Sequence, residues 1–154
     1  MKKYNIAVVG ASGNVGREIL NILDFRTFPF KEIYALASSK SEGQKIIYGN
    51  DKEAIIKDLE KFEFKNVDIV FSSAGSQVSK KFIPQAVKSG AIIIDNTSCF
   101  RMHKDVPLIV PEVNSEDLKY FRKKKIIANP NCSTIQMVMA LKPIHDLFEI
   151  KKIV

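Results

Sequence analysis

The sequence predicts an α/β domain: a doubly wound, mainly parallel sheet with helices on both faces. Three observations predict it. The chain opens as strand, glycine turn, helix and strand; short apolar strands and helical patterns then alternate along it; and 154 residues with 45% hydrophobic content suit one compact domain with one sizeable core. Strands that alternate with helices pair in parallel, because each helix carries the chain back across the sheet.

Taken in order, Tyr4 to Val9 is a β-rich run. Gly13 to Leu23 carries Val15, Ile19, Leu20 and Leu23 at helical spacing, and Ile33 to Ala37 is apolar again, which completes a βαβ unit. Glu42 to Phe64 is charged and weakly periodic; it reads as short strands or turns whose form the sequence leaves open. Val67 to Phe71 is a short strand of the buried type, followed by a helix from about Gln77 to Ser89 and a strand from Ala91 to Ile94. Beyond Asp95 lies an irregular stretch with Pro107 and Pro111. A short helix follows that Asn114 or Ser115 would cap, with Glu116 and Asp117 in its first turn. Lys125 to Ala128 is a further strand and Cys132 to about Leu147 a further helix. Glu149 to Val154 reads as the opening of another strand with nothing to close it, as in a chain cut at that point.

Composition narrows the function classes. The formal charge of +7 raises the question of nucleic acid, but the lysines are dispersed. Arg122-Lys123-Lys124-Lys125 is the one short cluster, and no aromatic platform is interleaved with it, so a solvated basic surface and small anionic ligands are expected and nucleic acid is not. No stretch approaches the roughly 20 apolar residues that span a bilayer. The Met1-Lys2-Lys3 start leads into a glycine motif instead of a cleavage site, so a cytoplasmic protein without membrane contact is expected. Cys99 and Cys132 stand 33 residues apart, a spacing that fits no metal-ligand pattern, and His103 and His145 complete none. A cytosolic chain of this size would not keep a disulfide, and no metal is expected.

Gly10-Ala11-Ser12-Gly13-Asn14-Val15-Gly16 places three glycines between a strand and a helix. The first allows a tight turn, the second lets the backbone approach a pyrophosphate, and the third lets helix and strand pack closely. The phosphates would then sit on the helix N-terminus, where free N–H groups and the dipole favour an anion. A glycine turn that merely joins strand to helix uses the same residues, but the strand-to-helix context is that of a Rossmann-like dinucleotide site. Gly10, Ser12, Gly13, Asn14, Val15 and Gly16 are therefore candidate cofactor contacts. The second strand ends in Ala37-Ser38-Ser39-Lys40-Ser41, where a cofactor with a free ribose 2′-hydroxyl usually meets an acid. Ser38, Lys40 and Ser41 offer cation and hydroxyl donors instead, which suits the 2′-phosphate of NADP; nearby Glu42 and a plain solvated loop are the opposing readings. Ser72-Ser73-Ala74-Gly75-Ser76 ends the next clear strand at the same sheet edge, with Ala74 and Gly75 as candidates for close backbone approach or as members of an ordinary loop.

Asn129-Pro130-Asn131-Cys132-Ser133-Thr134 joins a strand to a helix and sets Cys132 near the helix N-terminus. There the dipole and free N–H groups lower a thiol pKa and can stabilise an oxyanion on a carbon bonded to the sulfur. On these local features an inert packed cysteine and a nucleophile fit equally.

The segments GASGNVGRE, SAGSQVS, DNTSCFRM, VPLIVPEVN and NPNCSTIQ, in that order, resemble bacterial aspartate-semialdehyde dehydrogenases, from about Ile6 to the end of the chain. NPNCSTIQ with the upstream arginine segment is the most specific part. The resemblance implies NADP-dependent, reversible reductive dephosphorylation of aspartyl-4-phosphate to aspartate-4-semialdehyde and phosphate, in lysine, methionine and threonine biosynthesis, by a homodimer or homotetramer. It implies Cys132 as the nucleophile that forms a thioester, Asn131 as a substrate contact and Arg101 as the phosphate-binding residue, a task suited to its planar fork of donors. Without the resemblance, Arg101 would be read as a surface arginine.

Residues 1–148 would then be the NADP-binding domain with the nucleophile, and 149–154 the start of a truncated catalytic and dimerisation domain. Cys99 departs from the small residue expected at its position, which leaves a second reactive thiol or a packed side chain. Gln136 follows the family's IQ pair as a packing residue. His145 lies too far along its helix to serve Cys132, and His103 is a weak candidate. The family's catalytic histidine, a substrate-binding glutamine and a second arginine belong beyond Val154, so the 154-residue chain alone is expected to be inactive. Two further readings are a relative of the N-acetyl-gamma-glutamyl-phosphate reductases, which share the glycine-rich opening, and a nucleotide-binding module without turnover.

Overall fold

A computed structural model describes residues 2–154. The strands are β1 (Tyr4–Val9), β2 (Phe30–Ala37), β3 (Lys45–Tyr48), β4 (Lys52–Asp58), β5 (Ile69–Ser72), β6 (Ile92–Asp95) and β7 (Ile126–Ala128). The helices are α1 (Asn14–Phe25), α2 (Ser76–Lys88), α3 (Pro111–Asn114) and α4 (Cys132–Phe148). They build one seven-stranded sheet in the order β3-β4-β2-β1-β5-β6-β7. Every neighbouring pair is parallel except β3 with β4. The chain therefore runs outward from β1 in one direction to β2 and β4, then returns to start β5 on the other side of β1. The strand order reverses between β1 and β5, and the loops after both strands open at the same carboxyl edge, where such sheets bind ligands.

Alternation along β1 builds both halves of the core. Ile6 and Val8 pack with Leu20 and Leu23 of α1 on one face of the sheet, while Ala7 and Val9 pack with Phe82, Ile83 and Ala86 of α2 on the other. Period-two side-chain direction puts one helix on each face. The face under α2 is closed along β5, β6 and β7, with Val70, Ile93 and Ile126 buried. On the face under α1, cover stops at β1: Phe71 and Ile94 in register beside it are only half-buried and line an apolar cleft with Val15, Ile19 and Ile22.

The charged stretch that the sequence left open is an antiparallel hairpin, β3 with β4, whose inner strand, β4, pairs on to β2. Its turn is held from α1: Gly49 N–H donates to Asn21 Oδ1 (3.0 Å) and Asn50 N–H to the Asp24 carboxylate (3.1 Å). Gly49 has φ +57°, and a Cβ there would sit 2.0 Å from that carboxylate, so glycine is required twice over.

The helix expected at Asn114 or Ser115 is the 3₁₀ segment Ser115–Lys123, with Asn114 in the cap position and Glu116 and Asp117 in its first turn; the single turn of α3 precedes it, with Pro111 first, where proline's fixed φ and missing N–H fit. Asn114 makes no cap bond to the following turn but accepts from Val110 N–H (2.9 Å) and donates to Leu108 O (3.0 Å). The run after Phe148 is not a strand. Glu149 ends α4 in the left-handed region, φ 50°, and residues 150–154 pair with no strand among the described residues. An apolar run becomes a strand only where a sheet edge receives it. Among the described residues no helix is long and apolar enough to cross a membrane.

Candidate active site

The glycine turn is built as a cradle. Gly10 has φ +87°, and a Cβ there would meet Ser73 Oγ at 2.8 Å and Ala74 N at 2.9 Å, so the loops after β1 and β5 touch backbone to backbone. A Cβ on Gly16 would lie 2.2 Å from Gly10 O, which seats α1 directly on the turn. Gly13 differs: its φ is −82°, and a Cβ would meet only Gly10 O, at 3.4 Å. The protein itself does not require glycine at 13; an approaching ligand backbone or phosphate would. Gly13 also caps α1 without a side-chain acceptor, so the first N–H groups of the helix are open to an anion.

A cavity of about 420 Å³ opens over this turn, lined by Gly10, Ser12, Gly13, Ala37, Ser38, Ser39, Leu59, Glu60, Ser73, Ala74 and Val78. It gathers five of the candidates, Gly10, Ser12, Gly13, Ser38 and Ala74. It does not gather all. Val15 is half-exposed and lines the apolar cleft on the α1 face instead, and Gly16 lies beneath the turn. Asn14 opens α1, Lys40 and Ser41 sit in the short 3₁₀ turn after β2, and Gly75 caps α2 with φ +90°. Leu59 and Glu60 escaped sequence reasoning, since they reach the cavity from a segment that carries no motif; Ser73 and Val78 belong to the SAGSQVS segment, in which the sequence singled out only Ala74 and Gly75. Glu42, the acid near the end of β2, is turned away into an ion pair with Lys61 at 2.9 Å.

The second cluster stands two strands along the same edge. Asp95, fully buried at the end of β6, accepts from Thr97 N–H (3.1 Å) and Thr97 Oγ (3.0 Å), and Thr97 Oγ in turn accepts from Cys99 N–H (3.2 Å). This folds the loop after β6 back on itself. Arg101, at its end, donates Nε to Asn129 O (2.9 Å) and Nη2 to Asn96 O (3.0 Å). The loops after β6 and β7 are thereby joined three residues before Cys132. Arg101 has no carboxylate within ion-pair distance among the described residues, so its charge is open to an anion.

Cys132 is the first residue of α4, exposed and unpaired. Asn131 is the helix cap, its Oδ1 accepting from Thr134 N–H at 2.7 Å. Cys99 is a different kind of thiol: burial, then the nearby Asp95 charge, push its pKa up against the opposing pull of Lys80, which disfavours the thiolate. His103 packs against Phe100, and His145 lines a groove between α3 and α4 with Val113, Met137 and Leu141. A larger cavity of about 580 Å³ lies away from both clusters, beside Lys104, Tyr120 and Arg122, and its Asp105 is paired with Lys123.

A glycine cradle feeding an open helix end, at the point where a parallel sheet reverses its strand order, defines a dinucleotide-binding α/β domain. The sequence comparisons agree with that class and narrow it. Residues 5–121 match the family described as semialdehyde dehydrogenase, NAD binding domain, and the chain belongs to that family. It is 54% identical over 154 residues to the aspartate-semialdehyde dehydrogenase of Campylobacter jejuni and 52% identical over 153 residues to that of Rickettsia conorii, in each case over 99% of this chain and 45% of the relative. The chain thus spans about half the length of the curated relatives it matches. Among solved structures, aspartate semialdehyde dehydrogenase II of Vibrio cholerae complexed with ASA superposes with a TM-score of 0.93 at 47% identity, covering 97% of this chain and 49% of that one. A Rex-family repressor, at 21% identity and a TM-score of 0.59, shares the fold alone.

Proposed function

We propose that this chain is the cofactor-binding, nucleophile-bearing part of an NADP-dependent aspartate-semialdehyde dehydrogenase. The observation that most supports this is Arg101, an arginine without a carboxylate partner, bound to the carbonyl of Asn129 on the loop that ends at Cys132. In this reading Gly10, Ser12, Gly13, Asn14 and the backbone N–H of Val15 in the first turn of α1, which Gly16 seats on the glycine turn, hold the dinucleotide's phosphates and ribose side together with Ala74 and Gly75. The hydroxyls and cation of Ser38, Lys40 and Ser41 favour the 2′-phosphate, and Lys61 engages nearby Glu42.

The Cys132 thiolate attacks the acyl carbon of aspartyl-4-phosphate; a C–S bond forms, the C–O bond to phosphate breaks, and inorganic phosphate leaves against Arg101. The first N–H groups of α4 face the oxygen that gains charge in this step. Asn131 holds those groups in place through its cap bond and offers its Nδ2 to substrate. The dinucleotide, when bound, supplies the hydride that reduces the thioester to the semialdehyde. The assembled enzyme is a cytoplasmic homodimer or homotetramer in this reading.

The test grafts the chain into the matching portion of the Campylobacter enzyme and assays phosphate-dependent NADP reduction with aspartate semialdehyde. Activity is expected in the graft and a loss of at least about a thousandfold on Cys132→Ser, in line with removal of a covalent nucleophile. The 154-residue chain alone is expected to bind NADPH more tightly than NADH, by fluorescence titration, with negligible turnover. A graft whose activity survives Cys132→Ser would sink the reading, and a chain that prefers NADH would sink its NADP part.

A further inference from the structure

Arg101 is unusual in how its donors are spent. Two of them are committed to backbone carbonyls, Nε to Asn129 O and Nη2 to Asn96 O. Those two residues are themselves joined, because Asn129 Nδ2 donates to Asn96 Oδ1 at 2.7 Å, and Asn129 N–H donates to Asp95 O at 2.8 Å. All three side chains are partly buried, and the amide pair borders the cleft on the α1 face. The result is a closed ring: guanidinium, loop after β7, amide pair, loop after β6. A guanidinium has five N–H donors, and Nη1 makes no hydrogen bond among the described residues.

We propose that Asn96 and Asn129 are positioning residues. Their side-chain pair sets the distance between the two carbonyls that grip Arg101, so the arginine presents its Nη edge to an anion at a set place relative to Cys132. The inference rests on the reading of Arg101 as an anion site and adds how that site is held. Three peptide units separate Asn129 from Cys132, a reach of at most roughly 11 Å between their Cα atoms. At that range a fixed cation still acts on an approaching anion at low salt, whereas a guanidinium swinging free in water is largely screened. Neither asparagine touches substrate in this scheme; both act through Arg101.

The test uses the chain itself and the chemistry of its thiol. Cys132 is alkylated at low ionic strength with iodoacetate, an anion, and with iodoacetamide, its neutral counterpart, and the two rates at Cys132 are followed by peptide mass spectrometry. Their ratio, referred to the same ratio in urea, reads the local positive potential and not the general accessibility of the thiol. In the parent chain the ratio is expected to be raised by about threefold or more, the order expected of one fixed nearby cation acting through a partly aqueous medium, and inorganic phosphate should return it toward the unfolded value. Arg101→Ala should abolish the increase. Asn129→Ala and Asn96→Ala should each remove most of it while circular dichroism stays that of the parent. Asn129→Leu, which keeps the volume without the amide, replaces any alanine variant that fails to fold.

The outcomes separate the two ideas. If folded Asn96 and Asn129 variants keep the parent ratio while Arg101→Ala loses it, the clasp is overturned and the anion site stands. If Arg101→Ala also keeps the ratio, both are overturned.

Discussion

The helices α1 and α4 begin alike and end differently. Each starts at the carboxyl end of a parallel strand and points its N-terminus at the candidate site. The 12-residue α1 buries Gly16, Leu20 and Leu23 against the sheet, but the 17-residue α4 has no buried residue at all, and Met137, Met139, Ile144, Leu147 and Phe148 are exposed. The cofactor side of the molecule is therefore closed by its own core. The nucleophile rides on a helix that is capped at its first turn and flanked by α3 but buries no side chain.

That contrast can be broken most directly by matched truncations. Leu20→Ala should destabilise the chain by about 3 kcal/mol, since a buried leucine loses both its burial and its packing, whereas Met139→Ala should fall within about 0.5 kcal/mol. Urea denaturation measures both; similar losses at the two sites would show that α4 is packed as tightly as α1. A smaller effect sharpens the comparison at the start of α4. Asn131→Ala should lower stability by about 1 kcal/mol, the usual worth of a side-chain cap, and Asn131→Asp should recover most of it. Recovery in stability with a continued loss of activity in the grafted enzyme would separate capping from a substrate contact; no loss in either would remove Asn131 from both roles.

The smallest expected effect concerns pH and lies at the far end of α1. The hydrogen bond from Lys52, with that from Asn50 N–H, holds the Asp24 carboxyl below its ordinary value. A carboxyl lowered in the folded state stabilises above its unfolded pKa, near 4, and that contribution disappears as pH falls through the folded value. Asp24→Asn should therefore flatten the acid limb of the stability curve below about pH 4 without touching the region of α4. Melting curves between pH 2 and 7 read the difference, and an unchanged acid limb would mean the hairpin turn is held by Gly49 and Asn21 alone.

Much of this was legible because it is local. The run Tyr4 to Val9 is a strand with those bounds, and the helices expected from about Gln77 to Ser89 and from Cys132 to about Leu147 are α2 and α4, which continue through Pro84 and Pro143. The hairpin was not legible, since Glu53, Lys57 and their neighbours form strands by pairing with β3 and β2 and not by any pattern of their own. The turn at Pro111 was not legible, and Asn114, although it stands in the cap position of Ser115–Lys123, spends its side chain on Leu108 and Val110 instead of on the turn it precedes.

The sequence by itself determined the order of elements, the strand-to-helix turn that carries the glycines, and the place of Cys132 at a helix start. Periodicity, glycine spacing and caps act over a few residues, so they can be read along the chain. Only the tertiary structure decided that the Val15 side chain lines the cleft on the α1 face and that Leu59 and Glu60 enter the dinucleotide cavity. It alone decided that Arg101 is tied to the carbonyl of Asn129, 28 positions away, and that Asn96 pairs with Asn129, 33 positions away. Arg101 is held by backbone carbonyls, which every residue carries alike. A contact to such a group leaves no mark in the sequence.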